Sequence, residues 1–374
     1  MKGCARRAAG RRLPGEAAHA RGAAGRRAGA GVAVTLLAVG LVSFVPAARG
    51  AQDDLVPAGI FRFDVSTTQE MQTSAVARDS HTHGLAVYAL SGLQAVDPSE
   101  ASAVSGSLSR VITETDFRLQ LGLTDHWNVS LLLPYVQAVQ HSTLRVNPAY
   151  NPAADPHCNA SSTPPCNLAD TVANLNSRTL TGYGNYQLTS LHRPIFTDAN
   201  ALTWGWGFSA SLESNRGVYT GVSSLQTRDP YGSVFSLLHY THYPDLARSR
   251  IDLRAEYVLP LTDKVTLPTG QHVSILGAPT LLSSLGWEQE PGSWGYGFRL
   301  DQKTALQTRL AGEAQEDPIK ELLFHAQLGY GNLIALEKAP IRLPYQLALT
   351  WDTTISAFNA PIRDRWGLMF FTYF

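Results

Sequence analysis

The chain ends in WGLMFFTYF, residues 366 to 374, and the alternation in this stretch decides the fold. Trp366, Leu368, Phe370, Thr372 and Phe374 fall on one side of an extended segment, Gly367, Met369, Phe371 and Tyr373 on the other. A helix would mix the two sets, since side chains alternate with period two only in a strand. The first set reads as outward and the second as inward.

The same period fills the chain upstream. Phe61, Phe63 and Val65 alternate with Arg62 and Asp64, and Phe117, Leu119 and Leu121 alternate with Asp116, Arg118 and Gln120. Trp204, Trp206 and Phe208 alternate with Gly205, Gly207 and Ser209, and Trp294, Tyr296, Phe298 and Leu300 with Gly295, Gly297, Arg299 and Asp301. About twelve spans result, each near the roughly nine to eleven residues a tilted membrane strand needs. They lie at 58–67, 109–123, 127–138, 179–193, 201–214, 232–243, 250–261, 272–287, 293–303, 320–331, 343–354 and 364–374.

A soluble sandwich could bury the same apolar face in a core. Three features favour lipid. Aromatics gather toward span ends as interfacial girdles do (Trp127, Tyr135, Trp294, Trp351, Trp366), the opposite face holds glycines and ionisable groups suited to a hydrated interior, and the chain stops on a strand. The expected fold class is therefore all-β, a closed antiparallel transmembrane β-barrel of about twelve strands. An even count returns both ends to one side of the membrane. Short turns then fall at 124–126, 194–200, 244–249 and 288–292, and long external loops near 68–108, 139–178 and 215–231. Residues 84–96, GLAVYALSGLQAV, would make the count odd as a strand, so they are read as a loop hairpin or a short helix inserted in the lumen.

The chain's zero formal net charge averages two unlike parts. Residues 1–50 carry nine Lys and Arg against the single acid Glu16, leaving 21 positive and 29 negative charges in the remainder, a net of −8. An acidic body has no basic surface for phosphates, so no nucleic-acid partner is expected. The basic start followed by the apolar run 30–45 and by Ala48-Arg49-Gly50 has the pattern of a cleaved signal peptide over 1–50, with the mature barrel occupying 51–374. Export of this kind implies the bacterial outer membrane, with outer-membrane lipid as a partner.

TDFRLQLGLTDHWNVSLLLPYVQ, from residue 115, followed by TGYGNYQLTSLHRP, from residue 181, resembles a family of outer-membrane transporters named after the meta pathway of phenol degradation. There a strand, a Thr-Asp turn and a strand ending in Leu-Pro-Tyr precede a Gly-rich strand. The likeness covers roughly 110–260 and the aromatic C-terminus. It implies passive passage of small-molecule solutes, hydrophobic or aromatic compounds among them, and it brings no binding residues with it. The amphipathic last strand ending in Phe374, with Trp366, Leu368 and Phe370 on the same side, resembles the signal by which the barrel-assembly machinery recognises its clients.

Candidate chemistry lies on the polar faces. Arg62, Asp64, Glu114, Asp116, Arg118, Asp252, Arg254, Glu256, Arg299, Asp301, Lys303 and Asp352 are the lumen-lining candidates. Their signs alternate along each strand, which fits either a structural salt-bridge lattice or a constriction that selects solutes. Cys158 and Cys166, in the loop PHCNASSTPPCN, read as a loop-closing disulfide of an oxidising compartment. His81 and His83 share a face, and His239 and His242 do not. No complete metal-ligand set is legible, and no metal or cofactor is expected. Outer-membrane phospholipases place a His two residues before a nucleophilic Ser; here Leu212 stands two before Ser214, so no enzymatic activity is expected. A channel, a structural or surface-interaction barrel, and an enzyme are the function classes in order of preference.

Overall fold

The computed structural model describes residues 55–76, 80–86, 89, 104–148, 172–173, 175–211, 226–227, 229–244, 249–266, 272–314, 318–332 and 344–374. Twelve spans run antiparallel through them: β1 (Phe61–Val76), β2 (Leu108–Thr124), β3 (Trp127–Ser142), β4 (Arg178–Tyr183 continued by Asn185–Phe196), β5 (Asn200–Ser211) and β6 (Ser233–His242). Then follow β7 (Ser249–Pro260), β8 (Thr280–Gln289), β9 (Trp294–Ala305), β10 (Ile319–Gly331), β11 (Tyr345–Phe358) and β12 (Ala360–Tyr373). Each pairs with its neighbour in sequence, and β12 pairs back onto β1, so the sheet closes on itself. Closure satisfies every strand edge, which lipid demands of a spanning sheet.

The outward face is apolar and accessible. Phe117, Leu119, Trp204, Trp206, Leu285, Phe298, Trp366 and Leu368 are all exposed on it. In water such a surface would be an aggregation hazard, whereas around a closed barrel it is the band that meets acyl chains. Inward residues are covered: Arg62, Asp64, Asp116, Arg118, Asp252, Arg254, Glu256, Asp301 and Asp352 are buried. The expectation of a closed twelve-stranded barrel holds.

Two interruptions have local causes. Pro134, midway along β3, cannot donate to a ladder, and the opposite strand bulges there: Gly184 lies between the two parts of β4, and its N–H reaches the Pro134 carbonyl at 2.9 Å. Pro194 sits within a second bulge, where the pairing of β4 with β5 shifts between His192 and Ile195.

Several expected boundaries are corrected. Segment 272–287 is two elements: His272–Leu276 leaves the barrel, and only Thr280–Gln289 crosses. His272–Leu276 joins Thr262–Thr266, Arg309–Leu310 and Glu313–Ala314 in a small four-stranded sheet at the external end, packed on Val265 and Ile275. β1, β3 and β11 run past their expected ends to Val76, Ser142 and Phe358, and β12 starts at Ala360, so the external connections begin later than 68 and 139. Tyr135, Trp351 and Trp366 consequently lie inside long strands rather than at their ends. Trp366 is eight residues from Phe374, which at ~3.3 Å per residue and a tilt of ~40° is a height of ~20 Å. The extra length of β12 thus projects beyond the membrane band.

Within 84–96, Gly84 ends the strand Thr82–Gly84, which pairs with the end of β1, and Leu85, Ala86 and Ala89 are helical. Leu85 and Ala89 pack with Ala75, Leu108, Leu144, Val172 and Leu175 into an apolar cluster at the external end of β1 and β2. The remainder of 84–96 lies outside the described residues, as do residues 1–50, read above as a signal peptide, and Cys158, Cys166 and Ser214.

At the opposite end, residues 55–60 do not extend β1 as expected from 58 but fold against the inward side of β2 and β3. Gly59 donates to the Gly122 carbonyl at 2.8 Å, and Gly122 donates to Ile60 at 3.1 Å. Asn128, fully buried, holds the segment with its side-chain amide: with the amide oriented to match its neighbours, its oxygen accepts from Val56 N at 2.6 Å and from Gln120 Nε2 at 2.9 Å. A Cβ at Gly122 would stand 2.0 Å from the Pro57 carbonyl oxygen. Gly122→Val is therefore expected to expel this segment at a cost of about 1–3 kcal/mol for the donors and acceptors left unpaired. Hydrogen exchange is the check: the Gly59 amide should lose its protection while amides in the middle of β2 keep theirs.

Candidate functional site

The inward faces of the strands bring ionisable groups into rows across the sheet. Because strands tilt in a barrel, residues directly opposite one another climb or descend along its axis. One such row runs Glu70 on β1, Arg365 on β12, Asp352 on β11, His325 on β10, Arg299 on β9, Gly286 on β8, Asp252 on β7 and Thr241 on β6. Glu70 lies nine residues from Phe61, the end of β1 nearest the C-terminus, whereas Thr241 is one residue from His242 at the corresponding end of β6. The row therefore descends by about eight residues, ~20 Å at ~3.3 Å per residue and ~40° tilt, a depth comparable to the apolar band outside it.

Contacts tie the row together. Arg365 Nε donates to Asp352 at 3.0 Å, and its Nη1 is 4.0 Å from Glu70. His325 Nδ1 meets the other oxygen of Asp352 at 2.7 Å. Arg299 grips Asp301 on its own strand with two hydrogen bonds of 2.7 and 2.8 Å. At the lower end of the row Asp252 accepts from Thr241 at 2.8 Å, lies 2.9 Å from His239 Nε2 and is paired with Arg250 at 3.0 Å; Arg250 also reaches Glu288 at 2.6 Å. A parallel set lies above it, with Arg363 on Glu321 at 2.6 Å and Lys303 on Glu321 at 3.6 Å.

The sequence candidates fall as follows. Arg254 and Glu256 pair at 3.0 Å, and Arg62 and Asp64 at 2.7 Å, where the Arg62 guanidinium also lies 4.4 Å over the Phe371 ring. Asp116 and Arg118 are buried on β2, and Glu114 is half-buried on the same face. Arg299, Asp301, Lys303 and Asp352 belong to the connected set on β9 to β12. Residues two apart on one strand recur as partners because period two returns them to the same face.

The sequence candidates omitted Glu70, Arg250, Glu288, Glu321, His325, Arg363 and Arg365. Arg363 and Arg365 share the parity of Gly367 and Met369; Arg365 already lies within the expected span 364–374, and one further residue upstream reaches Arg363. Glu70 follows from β1 by the same extension. His239, dismissed with respect to His242, acts with Asp252 of the next strand, a cross-strand relation that spacing within one segment does not reveal.

Asp229, in the connection between β5 and β6, keeps an exposed surface; crowding by the protein around it pushes its carboxyl above the usual carboxylate range, and the Lys303 ammonium opposes that shift.

No protein-family model matches the chain, and no curated protein matches it. Among solved structures, an outer membrane channel from Pseudomonas putida F1 is similar with a TM-score of 0.61 at 12% identity, over 89% of this chain and 100% of that one. The β domain of the Bordetella autotransporter BrkA follows at TM-score 0.41 and 10% identity, covering 84% of this chain and 100% of that one. The monoaromatic hydrocarbon channel CymD gives 0.37 and 8%, covering 85% and 89%. The last two scores are too low to bear on function, and the first is a likeness of fold: the chain has the closed barrel architecture of bacterial outer-membrane proteins.

Proposed function

We propose that the protein is a passive outer-membrane channel for small solutes, which pass through a narrow lumen lined by paired charges. The observation that carries this is the row from Glu70 to Thr241. It sets ionisable or hydroxyl groups on seven of eight consecutive strands, at successive depths, on the face away from lipid. Burying charge in this way is costly unless it serves packing or passage, and a descent through the band interrupted only at Gly286 offers a permeating solute one polar partner after another. The similar barrel from Pseudomonas putida F1, itself described as a channel, supports the same conclusion. The family resemblance over roughly 110–260 and the C-terminus implies hydrophobic or aromatic solutes, but the lumen chemistry on β7 to β12 favours solutes with at least one polar group.

A second possibility, a structural barrel, draws on the tightness of the pairing: Asp64, Asp252, Glu256, Glu288, Asp301, Glu321 and Asp352 on the inward face each meet a cation at 2.6 to 3.0 Å, and the pairs retain little accessible surface. Planar-bilayer recording separates the two. The folded wild-type barrel is expected to conduct, and Arg299→Gln to change its conductance or its cation-to-anion permeability ratio at least two-fold, because a charge in a confined passage acts on every permeating ion. A folded wild type that passes no current, with Arg299→Gln altering thermal unfolding alone, would establish the structural barrel instead.

A further inference from the structure

The charged row covers only part of the wall. On β3, β4, β5 and the external half of β6, between Arg178 near one end and Arg193 near the other, no inward residue is ionisable. Leu132, Val136, Leu191, Phe235 and Leu237 face inward there, interspersed with hydroxyls and amides. Glycine shapes this wall. Leu191 and Leu237 are the direct cross-strand neighbours of Gly205, and a Cβ on Gly205 would come within 2.7 Å of Leu191 Cδ2 and 2.9 Å of Leu237 Cγ. Both leucines therefore close over the Gly205 backbone, where they are buried to 2% and 3% exposure and form the apolar part of the inward face.

From these two walls we infer that the lumen selects small organic ions that carry an apolar body, because a solute in a narrow passage touches the charged row on one side and the apolar part of the inward face on the other. The inference rests on the channel reading and adds the solute class to it. The charged side presents both signs, so either an organic anion or an organic cation is served. A purely polar lumen would instead pass each ion according to its size and mobility.

The test is bi-ionic reversal-potential measurement on the folded full chain in planar bilayers, first with potassium chloride and then with two homologous series. One runs formate, acetate, propionate, butyrate; the other runs ammonium through its methyl, ethyl and propyl derivatives. In at least one series, permeability relative to free-solution mobility should rise about two-fold per added methylene, which corresponds to half the partition free energy of a fully buried one. Leu237→Gln should flatten that rise without removing the potassium chloride conductance, and Leu191→Gln serves in its place if the first variant does not fold. Gly205→Ala, which pushes both leucines toward the lumen, should lower butyrate or propylammonium passage more than chloride passage. Permeabilities that fall with chain length in both series overturn the inference while leaving the channel standing. A rise unchanged by either glutamine variant overturns it as well, and absence of potassium chloride conductance removes channel and selectivity together.

Discussion

Asp352→Ala is expected to destabilise the folded barrel by about 3–5 kcal/mol, the cost of stranding buried charge by removing one partner. Asp352 is buried to 3% exposure and accepts on both oxygens, from His325 at 2.7 Å and from Arg365 at 3.0 Å. Arg365 would keep only Glu70, at 4.0 Å, as its other acid in the row. The isosteric Asp352→Asn retains an acceptor and fills the same space, so it should cost markedly less than alanine. Urea unfolding of the purified barrel in lipid vesicles measures both. Equal midpoints for wild type and Asp352→Ala would show that the row is solvated well enough to lose a member, and would argue for a wider lumen than the contacts imply.

Deleting Phe374, or replacing it by Asp, should cut the yield of folded barrel several-fold in cells. Its backbone closes the sheet: Phe374 N donates to the Phe61 carbonyl at 2.8 Å, and Phe61 N donates to Phe374 at 3.0 Å. Its side chain is 65% exposed and so sits where lipid or an assembly partner would meet it. A carboxylate there would enter the apolar surround unpaired. Two variants separate the contributions. Phe374→Tyr keeps the aromatic ring and should restore the yield, whereas Phe374→Ala keeps the backbone pairing and should restore it only if closure, rather than recognition by the assembly machinery, is what the residue supplies. Heat-modifiable gel mobility and outer-membrane abundance report the outcome, and unchanged values for the Asp variant would count against both roles.

The fold was legible because its signal is one-dimensional. Alternation in the segment from Trp366 to Phe374, repeated around Trp204 and Phe298, marks the lipid face regardless of what the other face does. Strand ends were less legible, since above the membrane both faces turn polar and period two loses its contrast. That is why Glu70, Gln72, Arg363 and the external part of β11 were missed. Thr372 shows the limit of parity from another side: it has the outward parity of Phe370 and Phe374, yet it is buried, with its hydroxyl donating to the Pro344 carbonyl at 2.7 Å. Partnership within the lumen was legible only in part. Pairs such as Arg299 with Asp301 lie two apart in sequence, while His239 with Asp252 and Arg363 with Glu321 depend on register, which no single segment encodes.

Register is also where the row acquires a meaning for how the barrel is made. Between β9 and β10, Lys303 stands opposite Glu321, Asp301 opposite Leu323 and Arg299 opposite His325. A slip of one residue turns Phe298 and Leu300 into the lumen and is rejected by solvation alone. A slip of two leaves every face correct, so hydrophobicity cannot detect it. Electrostatics can: in one direction Asp301 meets Glu321, two carboxylates in a confined space, and in the other Glu321 loses Lys303 to face Ala305. The charges thus act as a checksum on strand alignment, penalising the errors to which an amphipathic strand is otherwise blind.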